Sequence, residues 1–316
     1  MPKSPSQMYH RLVCKKHGIP QFTPEPSQNL PAEYRMIGVS IGDVGVWHDG
    51  SFDVLFNTCR LATNSLNRAH GVPKHFPVFP LHSYDVSRRP YHSAGSIIAS
   101  AKMSVVSLDM GASSIISPFV PTSLGSSITF KFGSAEGAIL VLPDGASRQN
   151  LLPVESFRAH VRDSSTEWYR YARNWLSASD SLFVVTGCDK TASWAIATAS
   201  ATTGTIGFSL KLSVVGMAEA TLGPRYQWMD FGSATVRTSS PCDTLSGNEN
   251  QCIFIRGFFV PRSTPFVDFI AHRIFCRGWR RFLAQRETDI EQSRFKSEAE
   301  MASLRAVYRA FGSERL

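Results

Sequence analysis

No run of about 20 predominantly apolar residues occurs in this sequence, so no stretch has the length and hydropathy of a transmembrane helix. Charge is scarce as well. Charged residues make up 18% of the chain against 43% hydrophobic, which excludes a chain disordered throughout and leaves many surface positions to Ser, Thr and Gly. The six cysteines, Cys14, Cys59, Cys188, Cys242, Cys252 and Cys276, form no Cys-x-x-Cys pair, which excludes a zinc knuckle or a dithiol redox motif. There is no Asn-x-Ser/Thr acceptor, and the basic first residues are not followed by an apolar core of signal-peptide length. The expected compartment is therefore the reducing cytoplasm, with thiols acting as small buried hydrophobes.

What is present is a chain of 316 residues with a formal charge of +8. Such a length accommodates one large domain with an appendage. The positive balance suits acidic partners such as phospholipid headgroups or nucleic acid. Two stretches carry no charge for about the length of a β-hairpin: residues 110–130, between Asp109 and Lys131, and residues 191–210, between Lys190 and Lys211. Both are rich in Ser, Thr and Gly, and Pro118 and Pro121 interrupt the first, so neither reads as a helix.

The pattern along the chain predicts an α+β fold: a twisted, mostly antiparallel sheet with flanking helices and a C-terminal helical appendage. Residues 1–35, with Pro20, Pro24, Pro26 and Pro31, read as an irregular arm, 36–260 as the sheet domain and 261–316 as the appendage. A first hairpin is expected over 37–57 around Asp49-Gly50, and residues 71–90 read as a proline-rich loop. A strand starts at Ser96, with Ile97, Ala99, Ala101, Met103 and Val105 on one face. Further strands are expected over 128–132, 138–142, 182–186, 194–199, 205–215 and 251–260, with helical spacing over 152–176. Ile206, Phe208, Leu210, Leu212 and Val214 share one face of the most regular alternation, and Ser209, Lys211 and Ser213 the other. Beyond Pro261, residues 266–283 set apolar positions against Arg273, Arg277, Arg280 and Arg281 beside Trp279, a basic amphipathic helix. Such a face suits acidic headgroups, docking of the tail on the sheet, or plain solvation, and a membrane surface is preferred over nucleic acid as its partner.

Catalytic patterns are thin. Gly38-Val39-Ser40-Ile41-Gly42 matches the nucleophile elbow of serine hydrolases, which needs a strand, a strained turn and a helix, but the residues after Ser40 read as a hairpin. Gly187-Cys188-Asp189-Lys190-Thr191 lacks the longer glycine-framed loop of a phosphate-binding motif, and Lys190 reads as a strand residue pairing with Asp189. His70, His75 and His82 lack a spacing that encodes a metal site. The chain is therefore expected to be no enzyme, with no cofactor, no metal and no small-molecule substrate.

The blocks IGVSIGDVGVWHDGSFDVLFN, AEGAILVLPDGASRQNLL and SLFVVTGCDKTASWAIATAS resemble a large protein family of mushroom-forming fungi over about residues 20–260, a likeness that implies relatives without implying an activity. In the order of its elements the chain also resembles the pore-forming N-terminal domain of gasdermins: an early strand pair, a membrane hairpin, a helix, a second membrane hairpin and a closing strand. No gasdermin residue motif is matched, and the large inhibitory C-terminal domain has no counterpart except the short tail. This second resemblance implies a membrane-binding protein that oligomerises into a pore and is restrained by its C-terminal helices. In that reading Trp194, Ile206, Phe208, Leu210, Leu212 and Val214 meet lipid or core, and the tail arginines meet headgroups or hold the tail. Two other readings stand beside it: a soluble protein- or carbohydrate-binding module, and a serine hydrolase at Ser40.

Overall fold

The computed structural model describes residues 4–13, 15–48, 50–100, 103–109, 127–176, 180–200, 208–217, 224–229, 234–239 and 248–260. In chain order the elements are α1 (Pro5–Leu12), β1 (Ile19–Pro20), α2 (Ala32–Ile37), β2 (Asp43–His48), β3 (Ser51–Asn57), α3 (Ser65–His70), β4 (Val86–His92), β5 (Ser96–Ala99), β6 (Met103–Asp109) and β7 (Ser127–Phe132), followed by β8 (Glu136–Leu142), β9 (Ala146–Leu151), α4 (Val154–Ala172), β10 (Phe183–Thr191), β11 (Ala195–Ser200), β12 (Phe208–Met217), β13 (Pro224–Met229), β14 (Thr235–Thr238) and β15 (Gln251–Phe259). All strand pairs among the described residues are antiparallel, and the class is α+β. No helix among the described residues is long and apolar enough to cross a membrane. The basic segment with Arg273, Arg277, Trp279, Arg280 and Arg281 lies outside the described residues, as does Ile206.

The strands form one seven-stranded and two four-stranded sheets. At the centre of the largest, β10 pairs along its whole length with β15; its other edge takes β2 near Phe183 and then β9 from Gly187 onward. Helix α4 covers one face of this sheet. Its residues Phe157, Val161, Trp168 and Ala172, spaced to fall on one side of a helix, are fully buried against Val44, Val46, Phe56, Leu151 and Val184. The opposite face packs Phe183, Val185, Cys188, Cys252 and Ile255 against Leu30, Tyr34 and Leu66.

Several expected boundaries move. The arm over 1–35 contains helix α1, whose Ser4 hydroxyl accepts from the Gln7 amide while the Gln7 side chain accepts from the Ser4 amide, with Pro5 in the first turn. Pro31 immediately precedes α2, so these prolines start helices as well as break them. The first hairpin begins at Asp43 rather than Ile37, because Gly38 and Gly42 take positive φ angles of 68° and 88°. A Cβ at Gly38 would lie 1.9 Å from the Asn250 carbonyl oxygen. The proline-rich loop ends sooner than expected, in edge strand β4, and the strand expected from Ser96 is split into β5 and β6.

Candidate functional site

The two smaller sheets are built from the same two hairpins. The first hairpin has β5 and β6 as one arm and β7 and β8 as the other: β5 pairs β8, and β6 pairs β7. In the second, β11 and β12 run against β13 and β14. The hairpins also pair with each other, β8 with β11 and β7 with β12. The result is a four-stranded ribbon broken across its middle into an inner sheet, β14-β11-β8-β5, and an outer sheet, β13-β12-β7-β6.

Both sheets contribute to one apolar layer. Ile139, Val141, Ala195, Ala197 and Ala199 of the inner sheet meet Ile128, Phe130, Phe132, Leu210, Leu212 and Trp228 of the outer one. The alanines on β11 make room for the outer sheet's aromatic rings, large side chains packing on small ones. The inner sheet is buried on its other face too, where Ala138, Leu140, Leu142 and Ile196 pack with Tyr9 and Val13 of the α1 region and with Ile253 and Phe254 of β15. The outer sheet differs. At its alternate positions Thr129, Lys211 and Ser213 are half-buried, and Lys131, Gln227 and Met229 are exposed.

Of the residues singled out in the sequence, Leu210 and Leu212 lie together in this apolar layer. Phe208 and Val214 continue β12, with side chains outside the described set. Trp194 does not join them. It is buried in the other layer, beside α1 and β15, and its indole N–H donates to Gln251.

The N-terminal segment ties down this ribbon. Arg11 of α1 pairs with Glu136 at the start of β8. From β14, Arg237 donates to the Phe22 carbonyl at 2.8 Å and the Thr23 hydroxyl at 2.7 Å, and pairs with Glu25.

Next to the ribbon's roots, in the seven-stranded sheet, lies an ionic cluster the sequence did not reveal. Asp189 on β10 is 0% exposed. From β9, Arg148 takes both its oxygens, Nε to Oδ1 at 2.9 Å and Nη2 to Oδ2 at 2.7 Å, in the bidentate geometry that makes such pairs strong. From β15, Arg256 Nη1 donates to Oδ1 at 2.7 Å and to the His17 carbonyl at 2.8 Å. His92 of β4 places Nε2 3.2 Å from Oδ2, and the Tyr91 ring lies 3.3 Å from the Arg148 guanidinium carbon.

Burial alone would raise the Asp189 pKa, but the His92 hydrogen bond and the two guanidiniums outweigh it and hold the pKa down to about 2. Burial, His92, Lys16 and Arg148 depress His17 to about 4. A neutral His17 fits the geometry, since Arg148 Nη2 faces its Nδ1 at 3.5 Å. His17, His92 and Asp189 bring ligand-type atoms within 4.8 Å of one another. The set suits a cation poorly, because both Asp189 oxygens already accept from guanidiniums whose positive charge would repel a metal.

The neighbouring Lys190 points to the opposite face, as consecutive strand residues must, so the expected pairing with Asp189 does not occur. It is 3% exposed, and its Nζ donates to the Ile37 carbonyl at 2.7 Å. Nearby Asp43 accepts from the Tyr34 hydroxyl at 2.6 Å, the Ser40 amide at 2.7 Å and Asn57 Nδ2 at 2.7 Å. Burial nevertheless pushes its pKa up to about 6.

Ser40 lacks the surroundings of a nucleophile. Its hydroxyl donates to the Gly38 carbonyl at 2.9 Å, and the chain continues into strand β2, leaving no helix behind it to support an oxyanion. His70 and His82 have separate partners, the Leu55 carbonyl and the Tyr84 ring respectively.

No family model matches the chain, and no curated protein or solved structure is significantly similar to it.

Proposed function

We propose that this protein is a non-enzymatic membrane-binding protein whose two hairpins unfold from the bent ribbon and insert, in a homo-oligomer, as the wall of a β-barrel pore. One observation carries this reading: the hairpins pair with each other through β8·β11 and β7·β12, so four antiparallel strands already stand side by side in hairpin order. A membrane-spanning strand needs about 9–11 residues. Strand β12 alone has 10, and each arm of the ribbon with its mid-point break included is at least that long.

The side-chain pattern agrees. A barrel strand alternates apolar toward lipid and polar toward the lumen. The outer sheet has that alternation, with the difference that its apolar face is at present turned onto the inner sheet. Opening into water forfeits about 1.5–3 kcal/mol for each large apolar side chain exposed, and acyl chains restore it. Backbone groups entering lipid must be paired, and the ribbon's edges, β5–β6 and β13–β14, find partners only on neighbouring copies.

Anionic headgroups supply the docking surface. Edge strand β4 exposes Arg88 and Arg89, and Arg273, Arg277, Arg280 and Arg281 add to them or hold the tail in its restraining position. Each such residue near an anionic bilayer contributes about 1 kcal/mol. Restraint comes from residues 261–316 in this reading, and the site of action is a membrane reached from the cytoplasm.

The test is dye release from liposomes containing phosphatidylserine, comparing the full chain with one ending at Val260. Faster release from the shorter chain, and none from neutral liposomes with either chain, is the expected result. Failure of both chains to bind or permeabilise anionic liposomes would replace this reading with that of a soluble binding module.

A further inference from the structure

We infer that the pore formed by this ribbon is anion-selective, with Lys131 and Lys211 as its selectivity-determining residues. The inference rests on the insertion reading above and adds what passes through. The outer sheet carries Lys131 on β7 and Lys211 on β12 within its strands, with Arg225 near the start of β13 and Asp109 at the end of β6, so its charge is net positive.

Both lie on the face opposite the apolar layer. Lys131 alternates with Phe130 and Phe132, and Lys211 stands between Leu210 and Leu212, all four of which are buried. The register pairs Lys131 with Ser209 and Lys211 with Thr129, which makes the lysines diagonal neighbours on adjoining strands, about 7–8 Å apart. The described residues around them on this face, Thr129, Ser213, Gln227 and Met229, are neutral.

When the apolar face turns to lipid, this face turns to the lumen, since a strand has only two sides. Every copy in a closed ring then places the same lysine pair at the same height. Rings of lysine or arginine side chains raise the local concentration of anions and repel cations, as acidic rings do the reverse. The permeating class is therefore small anions such as chloride and phosphate.

The experiment is the reversal potential of the full-length protein in planar bilayers containing phosphatidylserine, under a potassium chloride gradient. The native chain is expected to reverse on the chloride side of zero. Lys131→Gln should move the potential toward zero, and Lys131→Glu with Lys211→Glu should invert its sign. Lys131 is exposed, so the single variant keeps the fold, and far-ultraviolet circular dichroism of the double variant identifies a folding failure. Conductance that is cation-selective in the native chain, or unchanged by Lys131→Gln and by the double variant, overturns the assignment while leaving pore formation intact. Absence of any conductance, even from the chain ending at Val260, would overturn the insertion reading and this inference with it.

Discussion

The seven-stranded sheet and the bent ribbon are both antiparallel and both bury apolar layers, yet they are held by different means. In the sheet, β10 is fastened to β9, β15 and β4 through a buried carboxylate that two guanidiniums share, and helix α4 is packed across the back. Between the ribbon's two halves apolar side chains dominate, with Ala195, Ala197 and Ala199 beneath the aromatic rings, joined by one hydrogen bond from the Trp228 indole to the Arg237 carbonyl at 3.3 Å. Apolar contact is not directional and is satisfied equally well by lipid, whereas the ionic cluster has no substitute partner in a bilayer. In the proposed reading, the difference separates a part built to stay from a part that exchanges one apolar surrounding for another once the ties of Arg11 and Arg237 to it are released.

The largest effect that sharpens this contrast comes from Asp189→Ala. It leaves the half-buried Arg148 and Arg256 without their carboxylate. Loss of one partner from a fully buried ion pair costs about 3–5 kcal/mol, and the partial exposure of the arginines puts the expected loss at the lower end of that range. Equilibrium urea unfolding should show that loss. A loss below about 1 kcal/mol, the range of exposed ion pairs, would mean that the cluster does not hold the sheet.

Next come two cavity substitutions, Leu212→Ala in the ribbon and Val184→Ala in the sheet. Leu→Ala in a core costs about 2–5 kcal/mol, and Val→Ala, which removes less, costs less. Both should lower stability, but only Leu212→Ala should speed liposome permeabilisation, because it loosens the outer half from the inner. Equal acceleration by both would show that global unfolding, not release of the ribbon, limits the process.

The smallest effect is the pH dependence. His17 and Asp189 both have lowered pKa values, so the stability they contribute is present above their unfolded values, near 6.5 and 3.9, and is lost as pH falls through about 4 and about 2 respectively. Asp43 works in the opposite sense: its pKa is raised to about 6, and its contribution is present below about 3.9 and lost as pH rises through 6. Between pH 6.5 and 4 the His17 loss therefore meets an Asp43 gain. His17→Asn should remove the loss in that window and leave the fall below about pH 4. An unchanged profile would place the titration elsewhere.

Much of the ribbon was legible because one of its faces is wet. Phe130 and Phe132 against Lys131, and Leu210 and Leu212 against Lys211, show period two as soon as they are read. The inner sheet's central strands are buried on both faces, so Ala195–Ser200 shows no such contrast, although a strand was expected there over 194–199. Strand β9 was missed because Arg148 and Asn150 make it look like a solvated loop, although both side chains turn inward to the cluster. Pro224, at the first residue of β13, tolerates a strand there because that position needs no ladder amide.

The ionic cluster was illegible for a different reason. His17, His92, Arg148, Asp189 and Arg256 come from distant parts of the chain, and each alone looks like an ordinary solvated group. One signal was available: Arg256 interrupts the otherwise apolar run of β15, which asks for a buried acid as its partner.

The most direct test of the central claim is the polarity sensed along β7 when the protein meets a bilayer. A depth-sensitive fluorophore is attached to single cysteines placed in turn at positions 129, 130, 131 and 132 of a chain whose reactive native thiols have been replaced. With anionic liposomes, the probes at 130 and 132 are expected to report acyl chains and to be quenched by lipid-borne quenchers, while those at 129 and 131 stay aqueous. Aqueous readings at all four positions, in a protein that nevertheless binds or permeabilises the liposomes, would contradict insertion of the ribbon.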